Sequence, residues 1–287
     1  MQGRGALSRF LYFLLPTLVI SLANHVNPRL VVLIPAYNEE SRIGSTLNSY
    51  QEFLSQSKWS CEILVVDDGS SDRTSEVVND FRGDKIPISC ISLPDNAGKG
   101  AAISMGMEHI ATKNETPENL VILTQDADGS GDLIYLNSMM ETLEGLITDR
   151  SGNIDWNQKA LVTGNRNYNI FSSRGITRWG FQTAVSLIMG GLRVQDSQCG
   201  YKLQTLSCAK VLYKNLNLKG WAHDVEVLYR AKLREIPIAQ IDINWKDKDG
   251  SKVVESGVVK VSLEMLLDIV RLRWEYSVTG AWKESVV

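Results

Sequence analysis

Two aspartates separated by one residue, Asp126 and Asp128, have the types and spacing that most directly suggest chemistry. They follow the apolar run Leu120 to Thr124, which predicts a buried strand, and Gly129 comes directly after them. Two carboxylates at this spacing can share a hard divalent cation, while the glycine lets the backbone turn around it. Such a cation neutralises a diphosphate and stabilises it as a leaving group. Because so short a motif also occurs in ordinary acidic loops, its position at a strand end carries the prediction of a divalent cation bound by Asp126 and Asp128.

A second acidic pair, Asp67 and Asp68, also follows an apolar run, Glu62 to Val66. Ligands of parallel sheets bind beyond the carboxyl ends of the strands, so both acidic pairs are expected at one edge. Like charges gathered there repel one another unless a cation or hydrogen-bond donors lie among them. An Asx cap on the following turn explains one of these acids, but it does not explain both pairs.

Three other side chains suggest contacts with a nucleotide. Lys99 stands between Gly98 and Gly100 at a predicted helix start, where it can approach a phosphate together with free backbone N–H groups. Gly-Lys-Gly also fits a simple turn. Tyr37 and Glu39 leave the first predicted strand, offering an aromatic face for a nucleobase and a carboxylate for the base or the ribose.

The elements that position these residues alternate between strand and helix over the first half of the chain. Apolar runs predict strands at 30–34, 62–66, 86–93 and 120–124, and helical spacing predicts helices at 40–55, 77–81 and 98–111. This alternation predicts an α/β fold with a doubly wound, mostly parallel sheet and helices on both faces, forming a single catalytic domain.

The second half of the sequence is less regular. We predict strands at 161–164, 200–203 and 238–245, and helices at 176–189, 225–233 and 258–276. For the last helix we favour packing against the sheet over a position in the membrane interface.

Composition excludes several classes of protein. The chain has 30 Lys and Arg against 33 Asp and Glu and a formal net charge of −3, so a basic nucleic-acid surface is not expected. The four cysteines form no CxxC pair, which favours reduced thiols in a reducing compartment such as the cytoplasm. No Walker A, GxGxxG or GxSxG sequence is present, which argues against a P-loop NTPase, a dinucleotide oxidoreductase and an α/β-hydrolase.

The N-terminal segment, residues 1–27, contains the apolar run Phe10 to Ala23 after two arginines. We interpret this run as a membrane anchor in preference to a buried core helix, although it contains Pro16 and is shorter than the roughly 20 residues of a spanning helix. A cleaved signal peptide is disfavoured because Asn24 to Pro28 lacks an A-x-A-like site. Residues 28–287 are assigned to the catalytic domain, including its C-terminal amphipathic helix.

Several motifs, taken together and in order, resemble a known family. The segments PAYNEE (35–40), VVDDGSSDRT (65–74), NAGKGAA (96–102) and DADG (126–129) resemble the family 2 inverting glycosyltransferases of the GT-A fold. The later segments DSQCGYKL (196–203), WAHDVEVLYRA (221–231) and INWKDKDGSKV (243–253) are similar to the polyprenyl-phosphate branch, first the dolichyl-phosphate β-glucosyltransferases and next the mannosyltransferases. The resemblance extends from Arg29 to Trp274.

The resemblance implies roles for individual residues. It places Asp126 and Asp128 on a Mg²⁺ or Mn²⁺ ion at the diphosphate, with Asp128 also catalytic, and Asp224 as the acceptor-side catalytic acid. The implied contacts with the nucleotide sugar and its phosphates are made by Pro35, Tyr37, Glu39, Asp67, Asp68, Lys99, Asp126, Ala127, Arg166, Gln198 and Lys202.

Two readings of Asp224 stay open. A phosphate acceptor is already ionised near neutral pH and needs no strong base, so Asp224 can instead orient sugar hydroxyls. Without any function, Asp224 is an acid stabilised by a helix N-terminus beside His223. His223 itself departs from the glucosyltransferase pattern, which usually has Phe there.

The resulting expectation is transfer of a hexose, glucose from UDP-glucose, to a polyprenyl phosphate at the cytoplasmic face of a membrane. The alternatives are a GDP-mannose donor, or a glycolipid, polysaccharide or small-molecule acceptor. A nucleotidyltransferase is disfavoured because PAYNEE occupies the place of its glycine-rich loop. A non-catalytic nucleotide-sugar binding protein is disfavoured by the intact Asp126 and Asp128.

Overall fold

One mixed sheet organises the part of the chain that this computed structural model describes, residues 27–81, 83, 85–114, 119–166, 173–192, 194–245 and 258–280. Its strands lie in the order β3-β2-β1-β4-β6-β5-β7, and only β6 runs antiparallel to its neighbours. The strands are β1 (Arg29–Ala36), β2 (Ser60–Asp67), β3 (Ile88–Ser92), β4 (Leu120–Thr124), β5 (Leu161–Arg166), β6 (Lys202–Thr205) and β7 (Ile238–Ile243).

The central strand β1 explains why the sheet is covered on both sides. Val31 and Leu33 point into one apolar core, while Leu30, Val32 and Ile34 point into the other. A continuous apolar run gives both faces of a strand something to bury, whereas strict alternation would leave one face polar. The prediction of an α/β fold with a doubly wound, mostly parallel sheet is confirmed.

Helices cover the two faces unequally. On one face lie α1 (Ile43–Leu54), α2 (Thr74–Asn79) and α4 (Leu136–Ile147), with a short 3-10 turn at Leu133–Tyr135. On the other face lie α3 (Lys99–Lys113), α5 (Ser173–Ile188), α6 (Leu206–Leu212), α7 (His223–Leu233) and α8 (Val258–Val278). Helix α8 lies on this face with Ile269, Leu272 and Tyr276 buried, but it packs against α5 and α7 instead of directly against the sheet as predicted.

The structure corrects several predicted boundaries. The first helix begins at Ile43 instead of Glu40, because the N–H groups of Arg42 and Ile43 bond to the carbonyl of Glu39 in a preceding turn. The third strand is shorter than 86–93, and the strand predicted at 200–203 begins at Lys202 and ends at Thr205. Two helices, α4 and α6, were not predicted, although their apolar residues are buried at helical spacing.

No helix in the described ranges is long and apolar enough to cross a membrane. The predicted anchor Phe10 to Ala23 lies outside the described residues, as does the segment 246–257.

Candidate active site

The candidate site lies at the edge of the sheet where β1, β2 and β4 end, at Ala36, Asp67 and Thr124. Strand β6 is antiparallel, so its first residue, Lys202, pairs with Thr124 at that same edge. The loop before β6 is therefore also brought to the site: a Cβ on Gly200 would lie 2.9 Å from Asp126 Oδ1. Acids from the first half and the 196–202 segment thus meet at one edge.

The Asp126–Asp128 loop is fixed by helix α1, which sequence reasoning did not connect with it. Thr46 Oγ1 donates a hydrogen bond of 2.9 Å to the carbonyl of Ala127. Asp128 accepts a 2.9 Å hydrogen bond from the N–H of Ser130, and its second oxygen lies 3.9 Å from an Arg42 nitrogen. The loop then turns at Gly129, whose φ of 67° lies in the left-handed region that favours glycine.

The loop has features that fit a divalent cation bound together with a ligand. Asp126 and Asp128 keep part of their side chains exposed, 24% and 20%. The Ser130 hydroxyl and the Gln125 side-chain amide, which flank the motif, are buried without a hydrogen-bond partner among the described residues. No group of three His, Cys, Asp or Glu side chains suited to a metal lies together in those residues, so a bound ligand and water would have to supply the remaining oxygen ligands.

Lys99 lies between the acids of the site. Its Nζ is 2.5 Å from Asp126 Oδ1 and 5.5 Å from the centre of the Trp221 ring, and its side chain is 17% exposed. Burial lowers the pKa of Lys99, but the charges of Asp126, Asp224 and Asp128 outweigh burial, and its pKa lies above the ordinary value. The ammonium group is therefore charged and shared by both sides of the site.

The start of α3 is less open to a phosphate than the sequence suggested. The N–H groups of Ala97 and Gly98 donate to the two carboxylate oxygens of Asp68, each at 2.9 Å. The glycine after Lys99 is required for steric reasons, because a Cβ on Gly100 would lie 2.7 Å from the carbonyl oxygen of Leu218. In this structure Asp68 orders the loop that carries Lys99, and its contact with the nucleotide stays a prediction.

The predicted nucleoside residues occupy one end of β1 and β2 but differ in exposure. Tyr37 presents an exposed ring, whereas Pro35 is buried within β1. Asp67 accepts hydrogen bonds from the N–H and the hydroxyl of Ser70. Glu39 is held by Arg42 through contacts of 2.6 and 2.7 Å. Among these predicted nucleoside residues, Tyr37 is the one whose exposed aromatic ring is available to stack on a ligand.

Asp224, the predicted acceptor-side acid, lies in the first turn of α7 in a buried cluster of charges. Its Oδ1 lies 2.5 Å from Lys202 Nζ and 3.3 Å from His223 Nε2. Burial raises the pKa of Asp224, but the neighbouring charges of His223, Lys202 and Lys99 lower it overall, so the carboxylate is ionised. Burial lowers the pKa of His223, although the charge of Asp224 acts in the opposite direction.

Arg166 does not point freely toward a phosphate. Its Nε and one terminal nitrogen hold Asp196 at 2.6 and 2.9 Å, and it also donates to the carbonyl of Gln198. Hydrogen bonding to Asp196 raises the Arg166 pKa despite burial. Arg166 therefore orders the loop before β6, while the Gln198 amide reaches Met265 of α8 at 3.5 Å.

A pocket of about 330 Å³ opens beside this cluster, lined by Gly220, Trp221, Lys260, Val261, Glu264, Met265 and Asp268. Trp221 connects it to Lys99 and Met265 connects it to Gln198. Trp221, Arg42, Thr46 and Asp196 were not predicted as site residues. Trp221 and Asp196 lie within the quoted motifs. Arg42 directly precedes α1 and Thr46 lies within it, and nothing in the sequence marks these two residues except helical spacing.

Comparison with known proteins places this geometry in context. A model of the family described as glycosyl transferase family 2 matches residues 31–185. The chain is 33% identical to dolichyl-phosphate beta-glucosyltransferase of Dictyostelium discoideum, over 92% of this chain and 80% of that protein. It is 34% identical to the Homo sapiens protein of that name, over 89% and 78%, and 31% identical to the Saccharomyces cerevisiae one, over 89% and 77%.

Similar solved structures include glucosyl-3-phosphoglycerate synthase of Mycobacterium tuberculosis. Its complex with Mn²⁺, UDP and glucosyl-3-phosphoglycerate superimposes with a TM-score of 0.56 at 19% identity, over 85% of this chain and 80% of that one. Its complex with Mn²⁺, UDP-glucose and phosphoglyceric acid gives 0.57 at 17%, with the same coverage. At such identities the likeness shows a shared fold, and the GT-A architecture predicted from the sequence is confirmed.

Proposed function

The chain belongs to glycosyl transferase family 2, and from this premise we propose that it transfers glucose from UDP-glucose to dolichyl phosphate, with inversion and with Mg²⁺ or Mn²⁺. The observation that carries the proposal is the position of Lys99 among three carboxylates, Asp126, Asp128 and Asp224, at one edge of the sheet. Asp126 and Asp128 follow β4, and Asp224 lies in the first turn of α7. The groups proposed to act on the donor and on the acceptor therefore face one small volume.

The names of the relatives support the sugar and the acceptor. Each is called a dolichyl-phosphate beta-glucosyltransferase, and this chain covers more than three quarters of their lengths. Because glucose is α-linked in UDP-glucose, a β-linked product requires one displacement with inversion. The structurally similar synthase was crystallised with UDP-glucose and Mn²⁺, which makes UDP the nucleotide to test first.

The reaction that fits these residues is an in-line displacement. A phosphate oxygen of the acceptor attacks the anomeric carbon as the bond from that carbon to the β-phosphate oxygen of UDP breaks, and the electron pair leaves with UDP. A divalent cation held by Asp126 and Asp128 would supply Lewis-acid stabilisation of the departing diphosphate. Lys99 adds a positive charge beside that leaving group, where it acts in a partly dry environment.

Asp224 is proposed to orient the reactants in this step. Its charge is already neutralised by Lys202 at 2.5 Å, which makes it a weak base. An ionised phosphate acceptor carries no proton that must be removed, so a weak base suffices. An acceptor with a hydroxyl group would need stronger general-base catalysis.

The proposal is tested by incubating the purified full chain with dolichyl phosphate, Mg²⁺ and either radiolabelled UDP-glucose or GDP-mannose. We expect labelled lipid from UDP-glucose and a β-linkage by NMR of the product. The variant Asp132→Asn, an exposed acid at the 3-10 turn, serves as the matched control for Asp126→Asn. Label in a glycolipid, a polysaccharide or a soluble acceptor, with none in dolichyl phosphate, would show that the acceptor assignment is wrong.

A membrane surface is proposed as the partner that presents the lipid. Helix α8 has a second apolar face opposite its buried one: Leu263, Leu267, Val270, Trp274 and Val278 recur at helical spacing and are 50–72% exposed. We call these five residues the outer stripe. The stripe is about 22 Å long and begins beside the Trp221 pocket, so a bilayer that received it would lie next to the site.

Vesicle binding tests this part of the proposal. A spin label at Leu267→Cys should become accessible to oxygen and protected from a water-soluble nickel complex when phosphatidylcholine vesicles are added. A label at Glu275→Cys, on the charged side of the same helix, should stay accessible to the nickel complex. If the label at position 267 stays water-exposed while the protein cosediments with vesicles, another part of the chain makes the contact.

A further inference from the structure

Lys99 is paired with one of the two aspartates that would hold a metal cation. Its Nζ lies 2.5 Å from Asp126 Oδ1, so the ammonium group and a metal cation would compete for this oxygen. A divalent cation bound through the same oxygen would stand within a few ångströms of an ammonium group, and two cations in one partly buried volume repel each other. Asp126 therefore has one partner at a time on this side.

The side chain of Lys99 can move away from Asp126 while its backbone stays fixed. Lys99 begins α3, so its backbone is fixed by Asp68 and by the 218–220 loop, but its side chain is a flexible four-carbon stem. The ring of Trp221 lies 5.5 Å away and can stay in contact with the stem while the ammonium group turns. A diphosphate brought to Asp126 and Asp128 would offer it a new anionic partner.

We propose that Lys99 is the counter-ion of Asp126 in the ligand-free protein and that it moves to the diphosphate when a divalent cation binds, so that metal and nucleotide bind cooperatively. This inference rests on the proposed function, because it takes the ligand to be a nucleoside diphosphate. It adds that Lys99 keeps the metal affinity low until the nucleotide arrives. By linkage, the metal must then increase the nucleotide affinity by the same factor.

The test measures Mn²⁺ binding, from the electron paramagnetic resonance signal of free Mn²⁺, with and without UDP. In wild-type protein, UDP should tighten Mn²⁺ binding strongly. Lys99→Met should bind Mn²⁺ about tenfold more tightly than wild type without UDP, because Asp126 has lost its competing cation. The tightening caused by UDP should then be about tenfold smaller than in wild type.

Two controls separate position from net charge and from misfolding. Lys219→Met removes the same charge from an exposed lysine close by in the structure, and it should leave both Mn²⁺ affinities unchanged. Lys99→Gln keeps a polar group of similar length and should behave as Lys99→Met does if the methionine variant loses its near-UV circular dichroism.

The outcomes distinguish the inference from the proposed function. If both Lys99 variants bind Mn²⁺ no more tightly than wild type, or if UDP tightens binding equally in all of them, Lys99 does not compete with the metal. In that case Mn²⁺ still binds with UDP and the proposed function stands. If no protein binds Mn²⁺ even with UDP, the metal-dependent function fails together with this inference.

Discussion

The two halves of the molecule stabilise their acidic residues in different ways. On the donor side, Asp67 and Asp68 accept hydrogen bonds from Ser70 and from the backbone N–H groups of Ala97 and Gly98. On the acceptor side, buried acids are paired with buried cations, Asp196 with Arg166 and Asp224 with Lys202. The partners of Asp67 and Asp68 are neutral, whereas those of Asp196 and Asp224 are buried cations; Asp126 is also in an ion pair, with Lys99, but it stays partly exposed.

The difference matters because the effect of a substitution depends on whether the partner left behind is neutral or charged. Removing an acid that accepts backbone hydrogen bonds leaves polar groups that water can still reach at an open edge. Removing one partner of a buried ion pair leaves an uncompensated charge, which is much more costly. We therefore expect changes near Asp126 to affect catalysis most, and changes near Asp224 to affect folding most.

The largest expected effect is on the donor side. Asp126→Asn should lower kcat on the order of 10³-fold, because the cation that stabilises the leaving group loses a ligand. Asp224→Asn should lower kcat only about tenfold with dolichyl phosphate as the acceptor, since no general base is required. Initial rates with radiolabelled donor measure both. If Asp224→Asn proves as damaging as Asp126→Asn, the two sides do not differ in this way.

A large effect on stability is expected on the acceptor side. Lys202→Met should lower the free energy of unfolding by about 3–5 kcal/mol, because Asp224 stays buried without its main partner. The control is Arg73→Met, which breaks an exposed pair with Glu76 and should leave stability unchanged. Urea unfolding followed by circular dichroism measures the difference. Equal midpoints for the two variants would contradict the proposed cost.

A smaller effect is expected at the contact between the halves. Gly100→Ala places a Cβ about 2.6 Å from His223 Cβ, so α3 and α7 must separate. The expected loss is about 1–3 kcal/mol of stability, together with weaker activity. Gly145→Ala in α4 meets nothing within 4 Å and should instead stabilise the protein slightly. Thermal melts of the two variants should therefore shift in opposite directions.

The smallest expected effect depends on pH. Burial lowers the pKa of His223, so the unfolded chain takes up a proton at higher pH than the folded one. Stability should be retained above about pH 6.5 and decrease as pH falls toward the lowered pKa of the folded state. His223→Gln should remove this part of the decrease, whereas the exposed His109→Gln should not. Chemical unfolding at several pH values, for the three proteins, measures it.

Much of the donor side could be predicted from the sequence because its signals are local. The apolar runs that become β1, β2 and β4 each end at the site, and Asp126 and Asp128 follow one of them directly. The boundaries of β1, β2 and β4 are set by the apolar side chains that the strands themselves bury. The helix that fixes the loop through Thr46 was found, but its contact with Ala127 spans 81 positions and left no local sign.

The acceptor side was harder because its partners are chosen by the fold. Arg166 was expected to meet phosphate, but Asp196 lies 30 positions away and takes two of its nitrogens. Lys202 and Asp224 were both identified, yet nothing in their spacing indicated that they pair with each other. The roles assigned to these residues in binding and catalysis stay predictions, which the variants above examine.

The reversed direction of β6 has a consequence for how the chain tolerates changes in length. Because this strand starts at the reactive edge, the residues just before Lys202 are pressed against Asp126, and an insertion there would displace the carboxylate. The strand finishes at Thr205 on the far side of the sheet, away from the reactive edge. Beyond Thr205 the chain passes directly into α6, whose first turn the buried Thr205 hydroxyl caps at the N–H of Cys208, so an insertion is expected to be poorly tolerated at either end of β6.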